Sequence, residues 1–245
     1  MNKKVVLAFS GGLDTSFCIP YLINQGYEVH TLFVNTGGIS SKEERAITNR
    51  ANELGAKKHI NINVENSLWS EILIPLVQSG ALYQNKYPAL CSDRYLIVKE
   101  SIKLCKKLKT KDIAHGCTGM GNDQIRFDLS IRAHGNYNII TPIREIQNIT
   151  KNVRGYEEDY LQERGFKVSS LHKKYSINEN LMGATISGSE IDEWEEPSSE
   201  SFVLCKLPHQ YPKKPKVLQI KFLRGKVISI NNKKMQGADF LRTLN

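Results

Sequence analysis

Apolar residues in this chain alternate between two spacings. Short runs rich in β-branched residues are separated by longer stretches in which apolar positions recur every three or four residues. The first spacing is that of buried strands and the second that of helices with one apolar face. Read this way, residues 3–9 form a strand, and residues 15–25 a helix kinked by Pro20 and ended by Gly26. Residues 28–34 form a second strand. Ser41 and Glu44 have the spacing of a capping box, opening a helix that stops at Gly55. A third strand covers residues 57–64, a helix containing Pro75 covers 67–79, and a long helix with Ser92 as its N-cap covers 92–108. A short strand at 112–115 leads into a glycine-rich stretch and a helix start near Asn122. Residues 150–164 form a helix capped by Gly165, and residues 166–210 read as irregular, with an acidic solvated loop at 190–196. Residues 216–222 and 226–231 flank Arg224-Gly225 as an antiparallel hairpin, and a short helix follows over 237–245. Strands alternating with helices at these short spacings predict an α/β protein built on a doubly wound parallel sheet. The change of pattern divides the chain into residues 1–165 and 166–245.

Composition narrows the class. With 245 residues, 40% hydrophobic and 24% charged, the chain can bury a full core. No apolar run reaches the roughly 18 residues that span a bilayer, and the N-terminus leads straight into a strand. A cytoplasmic enzyme without a membrane partner is expected. Five cysteines, with no Cys-x-x-Cys pair, argue against a disulfide framework and a zinc site. The net charge of +9 comes mostly from dispersed lysines, so a solvated basic surface that favours anionic small molecules is expected rather than nucleic acid.

The chemistry begins where the first strand ends. Ala8-Phe9-Ser10-Gly11-Gly12-Leu13-Asp14-Thr15-Ser16 places two glycines and three hydroxyls between a strand and a helix. Such a helix start offers N–H groups without intrahelical partners and the positive end of the helix dipole, which together bind anions. An ordinary N-capped helix after a glycine turn is the plain alternative. The stretch lacks the lysine and length of a Walker A loop, and it is not Gly-x-Gly-x-x-Gly. It resembles the pyrophosphate (PP) loop of the ATP pyrophosphatase superfamily, whose members split ATP between the α- and β-phosphates. Such a site must hold the β,γ unit and leave the α-phosphorus open.

A second stretch, Ala114-His115-Gly116-Cys117-Thr118-Gly119-Met120-Gly121-Asn122-Asp123-Gln124-Ile125-Arg126-Phe127, ends in a polar cluster at a helix start. Asn122 and Asp123 also suit plain helix caps. Taken with the first motif and with Tyr175-Ser176-Ile177-Asn178-Glu179-Asn180-Leu181, it resembles argininosuccinate synthase, and the likeness runs over essentially the whole chain.

That resemblance implies an adenine-nucleotide alpha-hydrolase-like nucleotide domain followed by an incomplete α+β second domain. It implies condensation of citrulline with aspartate through citrullyl-AMP, releasing AMP and pyrophosphate. Residues 8–16 would hold ATP, with Val34 and Gly116 lining the nucleotide. Thr118, Asn122 and Asp123 match aspartate-binding positions, and Tyr87, Ser92, Asn122, Arg126, Ser176 and Thr185 match citrulline positions. The resemblance gives no resident metal, and Mg²⁺ would arrive with ATP. No strong base stands in either motif, so Asp14, Asp123 and Arg126 are the candidates for direct participation, with positioning and charge stabilisation carrying the reaction.

Three departures stand out. Leu90 and Cys91 replace a usual Gly-Thr, and Thr185 replaces a usual Ser. The sequence also ends at Leu244-Asn245, where members of the family continue. This leads to the expectation of a C-terminally truncated chain, catalytically incomplete by itself and without the family's homotetramer. Two rivals are an ATP-binding remnant and a tRNA-modifying PP-loop enzyme. The latter should carry catalytic cysteines or a zinc module.

Overall fold

A computed structural model describes residues 3–82, 84–86, 90–168, 175–235 and 237–244. The chain forms two compact units that interleave in sequence. One comprises Met1–Asn35, Ile39–Asn63 and Arg94–Ser170, and the other Thr36–Gly38, Val64–Asp93 and Leu171–Asn245.

The first unit is built on five parallel strands. These are β1 (Lys3–Ala8), β2 (Tyr27–Asn35), β3 (Lys58–Asn63), β4 (Asp112–His115) and β5 (Asn138–Ile140), in the order β3-β2-β1-β4-β5. Helices α1 (Leu13–Asn24), α2 (Ser41–Glu53), α5 (Arg94–Leu108), α6 (Asn122–Ala133), α7 (Pro142–Gln147) and α8 (Val153–Glu163) belong to the same unit. β1 is covered on both faces, so nearly every residue along it is apolar rather than every second one. Val5, Leu7 and Phe9 join Phe17 and Leu22 of α1, Ile143 and Ile146 of α7, and Tyr160 and Leu161 of α8 in one buried cluster. Val6 points to the opposite face by strand alternation and is equally buried. The chain runs from β1 to β3 in one direction and then from β4 to β5 in the other. The strand order therefore reverses between β1 and β4, where open α/β sheets carry their ligand crevice. This is the doubly wound parallel sheet expected from the hydrophobic pattern.

Several boundaries differ from the sequence expectation. Ser40, not Ser41, caps α2. Its hydroxyl accepts from the Glu43 N–H, and the Glu43 carboxylate takes the Ser40 N–H at 2.8 Å. Adjacent serines and adjacent glutamates fit the spacing equally well. Glu44 is instead engaged by Asn35 Nδ2 at 3.2 Å. The long helix begins at Arg94, and Ser92 lies in a preceding 3₁₀ turn (Leu90–Asp93) rather than at an N-cap. β5 and α7 were not anticipated, because β5 has only three residues and α7 only six, beginning at Pro142 itself.

In the second unit, α3 (Glu65–Ser67), a π-helical segment (Leu68–Leu73) and α4 (Ile74–Ser79) run in sequence, and the wide turn precedes Pro75. The stretch expected to be irregular contains a hairpin, β6 (Ser176–Asn180) and β7 (Gly183–Ser187). β8 (Ile220–Leu223) and β9 (Lys226–Ile230) turn at Arg224 and Gly225, both with positive φ, and β10 (Lys233–Lys234) adds a third strand. Helix α9 (Ala238–Leu244) lays Phe240 against Trp69 and pairs Arg242 with Glu65.

Thr36, Gly37 and Gly38, which follow β2, belong to this second unit. The Thr36 carbonyl accepts the Leu181 N–H at 2.9 Å. A Cβ on Gly38 would lie 2.3 Å from the Glu179 carbonyl oxygen, so backbone meets backbone there. At Gly26, φ is +84° and nothing lies within 4 Å of such a Cβ. Gly38→Ala is therefore expected to cost about 3 kcal/mol by overpacking, and Gly26→Ala only about 1 kcal/mol by backbone strain. Urea unfolding midpoints of the two variants check this, and equal costs would show that the Gly38 contact is not tight.

Candidate functional site

The loop after β1 reaches α1 without a side-chain cap. Gly12 is the N-cap residue, in extended conformation, and supplies no side chain to cap the first turn. Ser10 and Thr15 bond each other instead, with their hydroxyls 3.2 Å apart, and the Thr15 hydroxyl donates to the Gly12 carbonyl. The hydroxyls shape the loop, and the first N–H groups of α1 keep no intrahelical partner. Gly11 has φ +79°, and a Cβ there would meet Ile47 at 2.9 Å. Ser16 is buried, while Ser10 and Asp14 are exposed.

The loop after β4 closes on the same helix head. A Cβ on Gly116 would lie 2.9 Å from the Thr15 methyl and 3.3 Å from its backbone nitrogen, so only glycine lets the two loops approach this closely. His115 anchors the loop from below. Its Nδ1 accepts the Cys117 N–H at 3.3 Å, and its Nε2 faces Asp128 Oδ1 at 3.0 Å. Burial lowers the imidazole's pKa. A neutral ring with its proton on Nε2 satisfies both bonds. Burial opposes charge on Asp128 as well, but hydrogen bonds from His115 and from both terminal nitrogens of Arg144 hold that carboxyl far below its ordinary range. Further along, the Gly119 N–H donates to Gln147 at 2.6 Å, and Gln124 donates to the Gly119 carbonyl at 2.7 Å. The Thr118 hydroxyl is turned to the Met120 carbonyl at 2.7 Å.

At the start of α6, Asp123 sits between two guanidiniums. Arg94 donates to Oδ2 from Nε at 3.2 Å and Nη2 at 3.0 Å, and Arg126 donates to Oδ1 from Nη1 at 2.8 Å. The trio carries one net positive charge. Asn122 beside it is exposed. Val34 is buried near the end of β2.

Within the second unit, Ser92, Thr185 and Ser176 lie on neighbouring elements. The 3₁₀ turn carrying Ser92 and Cys91 packs on both β6 and β7, and Cys91 Sγ lies 4.0 Å from the Thr185 hydroxyl. Ser176 is exposed on β6. Tyr87 lies outside the described residues.

Sequence reasoning missed Arg94, the His115–Asp128–Arg144 group and Glu157. Glu157 is 1% exposed on the face of α8 that carries Val153, Tyr156, Tyr160 and Leu161. An acid on an apolar stripe at helical spacing was the available signal. Burial, then the charge of Asp14 and a hydrogen bond to it, push the Glu157 carboxyl up to about 9. Burial raises Asp14 as well, opposed by its own backbone, by Arg154 and by that hydrogen bond. Its outer edge meets solvent while its inner edge lies against Glu157. Burial pushes the Cys117 thiol up to about 12 and raises that of Cys18 well above its usual value, which disfavours the thiolate form of both.

Among the described residues no helix is long and apolar enough to cross a membrane, and no three His, Cys, Asp or Glu residues cluster as metal ligands. A family model described as the arginosuccinate synthase N-terminal HUP domain matches residues 4–166, and one for the arginosuccinate synthase C-terminal domain matches residues 175–245. The argininosuccinate synthase of Xanthomonas campestris pv. campestris is 49% identical over 244 residues, covering 100% of this chain and 62% of the relative. That of Hyperthermus butylicus is 37% identical, over 99% of this chain and 61% of its own length. Among solved structures, the NH₃-dependent NAD synthetase of Campylobacter jejuni is a distant likeness, 14% identical over 71% of each chain with a TM-score of 0.41. The chain thus spans about three fifths of the length of the curated relatives it matches. By both family models and by identity over its whole length, it belongs to the argininosuccinate synthase family.

Proposed function

We propose that this protein takes part in ATP-dependent condensation of citrulline with aspartate, passing through citrullyl-AMP and giving argininosuccinate, AMP and pyrophosphate. The observation that carries the reading is the bare head of α1, with Gly11 and Gly116 bringing two loops against it. A triphosphate placed there accepts first-turn N–H groups that have no intrahelical partner, and the helix dipole favours its charge. The segment Ala8–Ser16 holds the phosphates and sugar, with Val34 and Gly116 beside the nucleoside. Held through its β- and γ-phosphates, ATP leaves its α-phosphorus open to the ureido oxygen of citrulline, and pyrophosphate departs as a charge already stabilised by the loop.

The trio at α6 suits the amino-acid substrates. Arg126 keeps nitrogens beyond its single bond to Asp123, and a second planar fork suits a carboxylate. Asp123 uses about three of roughly four acceptor positions on its two guanidinium partners, leaving one on Oδ1 for the aspartate ammonium. Asn122 and Thr118 add neutral donors and acceptors. Ser92, Ser176, Thr185 and Tyr87 serve citrulline in this reading. In this reading Mg²⁺ enters as the counter-ion of ATP; among the described residues no three His, Cys, Asp or Glu residues cluster as metal ligands. A thiol-based tRNA modification is disfavoured by the raised pKa of Cys117 and Cys18.

Purified protein should release pyrophosphate from ATP only when citrulline is present. ATP binding without citrulline-dependent release would instead mark a nucleotide-binding remnant, and release driven by tRNA would overturn the assignment. Asp14→Asn and Ser16→Ala should weaken ATP use by about 1.5–3 kcal/mol, roughly 10- to 150-fold. Were they to melt earlier with normal ATP affinity, the loop would be structural. Arg126→Lys keeps the charge but loses the fork, so it should raise the citrulline KM and leave ATP affinity nearly unchanged. Equal losses for both substrates would remove Arg126 from citrulline recognition.

A further inference from the structure

One ionisable group of the first unit has no role in the chemistry above. Glu157 is almost completely buried between α8 and α1, and among the described residues its Oε1 has no hydrogen-bond partner. Its side chain is hydrogen-bonded to Asp14, the acid of the phosphate loop. Two carboxyl groups in contact need a shared proton, because both charged together repel at short range. The environment decides which keeps it. Asp14 meets solvent at the head of α1, where the helix dipole and Arg154 favour its anion. Glu157 has no such access to water.

The charges around Glu157 agree with that assignment. From α1 it faces Asp14 and the thiol of Cys18, which burial holds protonated. On its own helix, Glu158 disfavours a further negative charge and Arg154 favours one. From α7, Glu145 adds another negative field at Cys18, and its Oε2 is occupied by the Tyr21 hydroxyl at 2.8 Å. The cation that acts on Glu157 is Arg154, which is shared with Asp14.

We propose that Glu157 is a positioning residue for nucleotide binding: uncharged, it donates a hydrogen bond to Asp14 from beneath and fixes that carboxylate at the phosphate loop. The inference rests on reading this loop as the ATP site. Loss of the Glu157 proton would remove the donor and add a second negative charge under a site that takes a triphosphate. ATP affinity should therefore fall as pH rises through about 9.

Glu157→Gln separates this role from simple packing. The amide has nearly the same shape, still donates to Asp14 and cannot ionise. ATP dissociation constants would be measured by calorimetry from pH 7 to 10 for the wild type, Glu157→Gln and Glu157→Ala. At pH 7.5 the Gln variant should bind within about twofold of wild type, and the Ala variant at least several-fold more weakly. At pH 10, about one unit above the titration, the wild type should have lost roughly tenfold in affinity while the Gln variant stays level.

Folding gives a second readout with a defined sign. The unfolded carboxyl loses its proton near 4.5 and the folded one near 9. Between these values the native state holds the extra proton, so wild-type stability falls with rising pH relative to the Gln variant, then runs parallel above 9. Superimposable pH profiles for wild type and Gln, with ATP bound normally by both, would overturn the inference and leave the proposed function standing. Absence of ATP binding by the wild type at every pH would overturn both.

Discussion

The first-turn N–H groups of α1 stand at the edge of the parallel sheet with no side chain to cap them. A bare helix head is a local cost, since about four backbone donors lose their partners at such an end. Most features of the surrounding unit act to keep that head open and in place. Ser10 and Thr15, the residues best able to cap it, are bonded to each other and to the loop backbone. Gly11 bends back over Ile47, and Gly116 brings the β4 loop to within van der Waals distance of Thr15. The strand order reverses between β1 and β4, so both loops emerge side by side from neighbouring strands. An anion is the partner that such an arrangement lacks.

Rigidity behind the loops comes from polar groups bonded to one another. His115 is fixed by the Cys117 N–H on one side and Asp128 on the other, and Arg144 closes the set with two bonds to the same carboxylate, its Nε alone left without a partner among the described residues. Bonds made at both ring nitrogens and at both carboxylate oxygens favour a single geometry. The Arg94–Asp123–Arg126 trio does the same for the start of α6 while leaving net positive charge. One set is neutral in its ring and buried, and the other is charged and half-exposed. The first holds the backbone of the β4 loop. The second leaves net positive charge at the start of α6.

What could be read from the sequence follows from how local each interaction is. β1 was legible because a strand buried on both faces must be a continuous apolar run, and β3 because Ile60 and Ile62 alternate with polar residues. The turn after β1 was legible because its glycines and the helix start lie within nine residues. β5 was too short to show a period, and β6 and β7 carry Ser-Ile-Asn-Glu-Asn and Gly-Ala-Thr-Ile-Ser, patterns as polar as a loop. The tandem serines at 40 and 41 left the capping box ambiguous by one residue. The anchoring groups were out of reach for another reason. Arg94 and Asp123 lie 29 positions apart, and Arg144 is 16 from Asp128, so only the folded chain brings them together.

Asp128 and Glu157 show how one unit sets two carboxyl groups in opposite states. Both are shielded from water, and burial disfavours the charge of each. Asp128 has a guanidinium and an imidazole N–H within 3.2 Å, which more than offset that penalty, so it remains an anion and orients its donors. Glu157 has another carboxyl as its nearest polar partner, and its proton is held to about 9. The distinction matters for a phosphate site. Negative charge fixed below the β4 loop is already neutralised by Arg144. Charge beneath the phosphate loop would add to that of Asp14 and oppose the ligand. A buried acid kept neutral gives that loop a directional donor without adding to its negative charge, which a serine or an amide in the same position would also do but without a response to pH.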